Sequence, residues 1–175
     1  MEGVSWPHDD GIVLQMIIRD RMVHRILIDT GASVDLLSYQ AFKQFGLGDE
    51  SLIPDGTNLY GFLGATTKIE GSIKMPVTAG EYPNEVTVDV NFMVVRMVSA
   101  FNAILGRPAL NALGVIVSTK HLKIKFQTPN GVGECRTNQK KSRECYASFV
   151  KQKNDCGGMA LTIAIPDYRD KLVMR

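Results

Sequence analysis

Asp29 is the residue best placed to do chemistry. It ends an apolar run, Ile26-Leu27-Ile28, and is followed by Thr30, Gly31, Ala32 and Ser33 before a second apolar run from Val34 to Leu37. Burial disfavours the charged form of a carboxyl. A chain accepts that cost mainly where the carboxyl moves a proton, as a general acid or base. The plain reading of Asp29 is a turn residue or helix cap in an ordinary β-protein. The other reactive side chains form no pattern. His8, His24 and His121 are scattered without metal-ligand spacing. Cys135, Cys145 and Cys156 are odd in number and fit neither a disulfide framework nor a zinc site. No metal and no cofactor is expected.

Asp29 needs elements to carry it. Gly11 to Ile18 and Val23 to Ile28 are apolar and rich in β-branched residues, and Arg19-Asp20-Arg21 separates them. They predict a hairpin that delivers Asp29. Ser38 suits the cap of a short helix from Tyr39 to Phe45, closed by Gly46. Thr57 to Val77 predicts a long hairpin with a flexible tip around Tyr60-Gly61-Phe62-Leu63-Gly64. Val86, Val88, Val90, Phe92 and Val94 alternate with mostly polar residues, the mark of a half-buried strand. A further strand ends at Gly106, and Pro108 suits the first turn of a helix ending at Leu113 before Gly114. Val115 to Val117 and Leu122 to Phe126 supply two more strands. The halves repeat weakly: strand, glycine turn, short helix, glycine, apolar residue. The pattern is that of a small β-barrel built from two related halves.

The totals set outer limits. With 175 residues and 45% apolar content the chain supports one packed domain rather than wholesale disorder. A net charge of +2, with few aromatics and no basic patch interleaved with them, gives no reason to expect direct nucleic-acid binding. No apolar run reaches the length of a membrane span, and Met1 to Asp10 has no apolar signal core. The expected location is intracellular, cytoplasmic, including virus-like particles. The composition changes after Gly133. Residues 1–7 read as an N-terminal linker, 8–133 as the folded domain, and 134–175 as a polar linker and tail with one possible added strand at Leu161 to Ile165.

Taken together, Ile-Leu-Ile-Asp-Thr-Gly-Ala-Ser at 26–33, Gly-Phe-Leu-Gly at 61–64 and Asn-Ala-Ile-Leu-Gly-Arg-Pro-Ala-Leu at 102–110 resemble the protease domain of plant gypsy-type LTR retrotransposon polyproteins. Thr-Pro-Asn-Gly-Val-Gly at 128–133 and Ser-Arg-Glu-Cys-Tyr at 142–146 fit the same source. The first of these motifs also resembles the phosphate hairpin of actin-like ATPases and sugar kinases, but those need a second phosphate loop and far more chain. The retrotransposon resemblance implies an all-β fold: a small closed barrel of the retropepsin, or acid protease, type with one or two short helices, completed as a two-fold homodimer. It implies an aspartic endopeptidase that cuts the polyprotein containing it and takes its peptide substrate extended. The alternative is a retropepsin-like dimerisation or interaction module that no longer cuts.

The same resemblance assigns roles. Asp29 is the catalytic carboxyl. No other Asp follows an apolar strand and precedes Thr/Ser-Gly, so the second carboxyl comes from Asp29 of another copy. Thr30, Gly31, Ala32, Ser33 and Arg107 support the active-site loop. Thr30 bonds across the dyad, and Gly31 offers its N–H to the carboxylate. Tyr60, Gly61, Phe62, Leu63 and Gly64 form a flap that closes over substrate. Leu27 and Ile104 line apolar pockets. Retroviral relatives give Arg107 an acidic partner where this chain has Ser33, which leaves Asp35 as the next choice.

Ala32 generates a prediction. Pepsin-like relatives carry Ser or Thr there, whose hydroxyl donates to the catalytic carboxylate and favours its charged form. Such a bond is worth about 1.5–3 kcal/mol and each pH unit about 1.4 kcal/mol. Ala32→Ser is expected to move a bell-shaped pH–rate profile roughly one unit toward acid while the dimer persists. An unmoved optimum in a folded, dimeric variant refutes the role of this hydroxyl.

Overall fold

In a computed structural model, residues 4–56, 58–60, 66–96 and 99–155 are described. Seven strands build the main sheet: β1 (Val13–Ile18), β2 (Arg21–Ile28), β3 (Asp35–Ser38), β4 (Asn58–Tyr60), β5 (Thr66–Glu81), β6 (Asn84–Val95) and β7 (Ala103–Leu105). Their order is β1-β2-β7-β3-β6-β5-β4. A short seam, Ile17 opposite Thr78 and Ile18 opposite Val77, joins β1 to β5 and closes six strands into a barrel. A second sheet, ordered β10-β9-β8, contains β8 (Ile116–Ser118), β9 (Lys123–Thr128) and β10 (Gly131–Arg136). The fold is all-β, as the sequence predicts, with three α-helices among the described residues: α1 (Tyr39–Gln44), α2 (Arg107–Ala112) and α3 (Gln139–Asp155).

Alternation decides what fills the barrel. On β6, Val90, Phe92 and Val94 point inward and are buried, while Asn91 between them is exposed and Met93 half-buried. Leu14, Met16 and Ile18 of β1 and Ile26 and Ile28 of β2 meet them in one core with Leu37, Phe42, Val77 and Leu105. β2 runs parallel to β7 with Ile28 opposite Leu105, and β3 lies antiparallel to β7 with Leu36 opposite Ile104. This arrangement sets the ends of the two half-motifs side by side.

The halves also end alike. The Ser38 hydroxyl caps α1 by accepting the Ala41 N–H at 3.2 Å. Gly46 and Gly114, which follow the two six-residue helices, both adopt positive φ, 73° and 62°. β4 pairs with β5 in the expected long hairpin, whose tip, Gly61 to Gly64, lies outside the described residues.

The structure departs from expectation after Gly133. β10 passes through that boundary and ends at Arg136, because Glu134 pairs with Lys125 across the ladder and bridges to Lys123. Residues 139–155, expected as a polar arm, form α3. Among its described side chains, Ser142 and Cys145, three apart, are buried. The suggested strand at Leu161 to Ile165 lies outside the described residues. Among the described residues no helix is long and apolar enough to cross a membrane.

Asp10 anchors α3. It accepts hydrogen bonds from Gln139 at 2.7 Å and from Arg143 at 3.0 Å, and His8 faces it as well. Burial raises its pKa, but the bonds from Arg143 and Gln139 outweigh that and hold it below the usual carboxylate value. A lowered folded pKa adds stability above the unfolded value, lost as pH falls through the folded one. The Arg143 side chain is half-exposed, so this contribution is about 1 kcal/mol or less. Amide exchange in α3 is therefore expected to quicken below about pH 4 before the barrel strands respond. Asp10→Asn is expected to lose that pH dependence.

Candidate active site

The loop from Asp29 to Val34 joins two strands without forming a ladder of its own, so its backbone groups need other partners. The turn after β7 provides them. The Asp29 N–H donates to the Leu105 carbonyl at 3.0 Å, and the Arg107 N–H donates to the Ala32 carbonyl at 3.0 Å. The Arg107 guanidinium donates to the Gly31 carbonyl at 3.0 Å. Within the loop the Ala32 N–H returns to the Asp29 carbonyl at 3.2 Å. Gly106 is the point of closest approach. A Cβ there would stand 2.4 Å from the Val34 carbonyl oxygen and 2.9 Å from that of Ala32, so no larger residue fits.

Held this way, the Asp29 carboxyl is half-buried and accepts the Gly31 N–H at 2.8 Å. Thr30, Gly31 and Ser33 are exposed, and Ala32 is half-buried. Leu27 and Ile104 lie side by side on β2 and β7, facing away from the core. Ile104 is already buried in the single chain, whereas Leu27 is half-buried. Of the residues expected to form a flap, Tyr60 ends β4, and Gly61, Phe62, Leu63 and Gly64 lie outside the described residues. Among the described residues no cluster of side chains could hold a metal ion.

Asp35 does not pair with Arg107. Its Oδ1 accepts the Gly106 N–H at 2.7 Å and the Ala109 N–H at 3.4 Å, so it caps the start of α2. α2 has no side-chain cap of its own and no acidic residue in its first turn. A buried carboxylate therefore sits where free N–H groups and the helix dipole favour it. The sequence gives no local sign of this role, because cap and helix are 71 residues apart. Asp35 also borders a cleft of ≈ 350 Å³ with Ser33, Asn91 and Pro108.

Neither a family model nor a curated protein matches the chain. Solved structures do. The retroviral protease-like domain of Ddi1 from Leishmania major aligns with a TM-score of 0.56 at 16% identity, over 75% of this chain and 98% of that one. The EIAV protease complexed with the inhibitor HBY-793 gives 0.46 at 20% identity, over 66% and 99%. A retropepsin-like aspartic protease from Rickettsia conorii gives 0.44 at 12%, over 75% and 95%. The first of these likenesses assigns the fold as retropepsin-like, and it is a likeness of fold.

Asp35 carries a testable cost. It is 3% exposed, and burial pushes its pKa up to about 6 against the pull of the Gly106 and Ala109 N–H groups. With the folded pKa above the unfolded one, stability is fully present below about pH 4 and declines as pH rises through about 6. Asp35→Asn keeps an acceptor oxygen for α2 and removes the charge. Denaturant unfolding is expected to show it more stable than wild type at pH 7, by on the order of 2–3 kcal/mol, with the gap closing near pH 4. A less stable variant at pH 7 means that the helix N-terminus needs the full charge.

Proposed function

We propose that this chain is an aspartic endopeptidase that works as a homodimer, with one Asp29 from each copy facing a shared water. One observation carries the reading: a half-buried carboxyl, held by the Gly31 N–H at 2.8 Å, on a loop whose backbone is bonded to the second half of the barrel. The chain holds one Asp-Thr-Gly, and the chemistry needs two carboxyls, so the second comes from a copy related by a two-fold axis.

In the dimer the two carboxyls share a proton, because like charges in contact cannot both ionise. The ionised one takes a proton from water, which attacks the peptide carbonyl. The protonated one donates to the carbonyl oxygen as it gains charge. Arg107 and the Leu105 carbonyl keep the loop from moving as charge shifts, so the site needs little reorganisation at the transition state. Gly61 to Gly64 act as the flap, and Leu27 and Ile104 receive apolar side chains of an extended peptide. The motifs at 26–33, 61–64 and 102–110 support a retrotransposon polyprotein as the natural substrate, processed inside the cell within virus-like particles.

The test is activity against concentration. Specific activity toward a peptide is expected to fall on dilution as monomer accumulates, and pepstatin is expected to inhibit. Excess Asp29→Asn is expected to poison wild type, since mixed dimers hold one carboxyl. Turnover by a species that sediments as a monomer refutes the two-copy site. A dimer that binds peptide and never cuts it marks a non-catalytic interaction module instead.

A further inference from the structure

Helix α3 lies outside the barrel, yet it is bonded to the segment leading into β1 and packs on the strand pair that delivers Asp29. The Ser142 hydroxyl donates to the Gly11 carbonyl at 2.7 Å. Gln139 donates to the Ser5 carbonyl at 3.0 Å and to Asp10 at 2.7 Å, and Arg143 reaches the Asp10 carboxylate at 3.0 Å. Cys145, 6% exposed, packs with Val13 and Ala100 into a small apolar cluster against which Leu27 and Phe101 rest. This cluster is separate from the barrel core. Val13 and Leu27 are opposite each other in the β1–β2 ladder, and their neighbours Leu14, Ile26 and Ile28 belong to the core. Leu27 is opposite Ile104 on β7 and precedes Asp29 by two residues. A row of apolar contacts and ladder neighbours thus leads from the helix to the wall beside the catalytic loop.

We propose that α3 is part of the peptide-binding machinery: docked by Arg143 and Cys145, it fixes Leu27 and Phe101 as one wall of the groove beside Asp29. Arg143 and Cys145 are then positioning residues for an apolar substrate side chain at Leu27. The inference rests on the endopeptidase reading and extends it to a segment beyond the barrel. Leu27 rests against the cluster that holds Cys145 and is half-buried. A wall ordered before substrate arrives spares the complex the cost of ordering it, which appears as tighter binding rather than faster chemistry. Ser142 and Cys145 are the buried pair among the described side chains of α3, while Arg143 ties its exposed flank to Asp10. The helix is therefore held by polar bonds from Gln139, Ser142 and Arg143 and by the apolar packing of Cys145.

The experiment uses the full chain. Arg143→Ala and Cys145→Asn are compared with the conservative Arg143→Lys and Cys145→Ala. Amide exchange in α3 reports docking. Cleavage of two synthetic peptides, with Leu or Ala before the scissile bond, reports the wall. In the undocked variants KM for the Leu peptide is expected to rise about tenfold with kcat within about twofold, and Leu-over-Ala discrimination to narrow. The conservative variants are expected to restore both. If α3 exchange quickens while KM and discrimination stay put, the helix is only a structural appendage and the proposal falls. A lower KM on undocking overturns it too, since the helix would then obstruct the groove. Should wild type neither cut a peptide nor bind pepstatin, the endopeptidase reading fails and takes this inference with it. Arg143→Ala changes a half-exposed side chain, so the test survives if Cys145→Asn does not fold.

Discussion

Everything near Asp29 depends on one set of bonds, those between the loop at 29–35 and the turn at 105–109. Neither segment can satisfy its own backbone. Together they do: Asp29 with Leu105, Ala32 with Arg107, Gly31 with the Arg107 guanidinium, and Asp35 with Gly106 and Ala109. Unpaired buried polar groups are costly, so the two halves are locked by the need of each for the other. Gly106 allows the approach because any side chain there would collide with the backbone of the first loop. The result is a carboxyl whose loop is held by main-chain bonds and by the Arg107 and Asp35 side chains together.

Asp35 shows what that lock costs. A carboxylate among apolar strands is an expensive way to start a helix, but the cap position of α2 is Gly106, where no side chain fits, so a local cap like the one Ser38 gives α1 is closed to it. The distant cap also connects α2 to β3. Asp35 ties the helix start to the strand that follows the Asp29 loop, so the turn carrying Arg107 cannot drift from the loop it supports. Stability given up at Asp35 is retained as geometry at Asp29.

Where function depends on local pattern, the chain could be read directly. The alternation from Val86 to Val94, the Ser38 cap, the glycines at 46 and 114, and the strand leading into Asp29 are short-range signals, and each appears in the structure where expected. Features that rest on distant partners were hidden. Nothing near Asp35 announces a helix 71 residues away. Glu134 looked like the start of a linker because the lysines that make it a strand residue lie on β9. Helix α3 was missed for a related reason. It docks through polar bonds from Gln139, Ser142 and Arg143 to partners 129 to 134 residues away, with Cys145 buried beside them, and such distant polar partners leave no local signal.

The pairing of β2 with β7 fixes when the site can come into being. Ile26 to Ile28 find their neighbours at Ala103 to Leu105, and the lock on the loop is complete only with Ala109. The β1–β2 and β5–β6 hairpins join strands adjacent in the chain and can form early, but the loop bearing Asp29 waits for a segment made roughly eighty residues later. At roughly 5–20 residues per second that delay is about 4–16 s of synthesis. Throughout it the nascent chain carries the Asp-Thr-Gly sequence without the lock that makes it a site. Order of synthesis alone keeps the Asp29 loop unformed until most of its own barrel has been made.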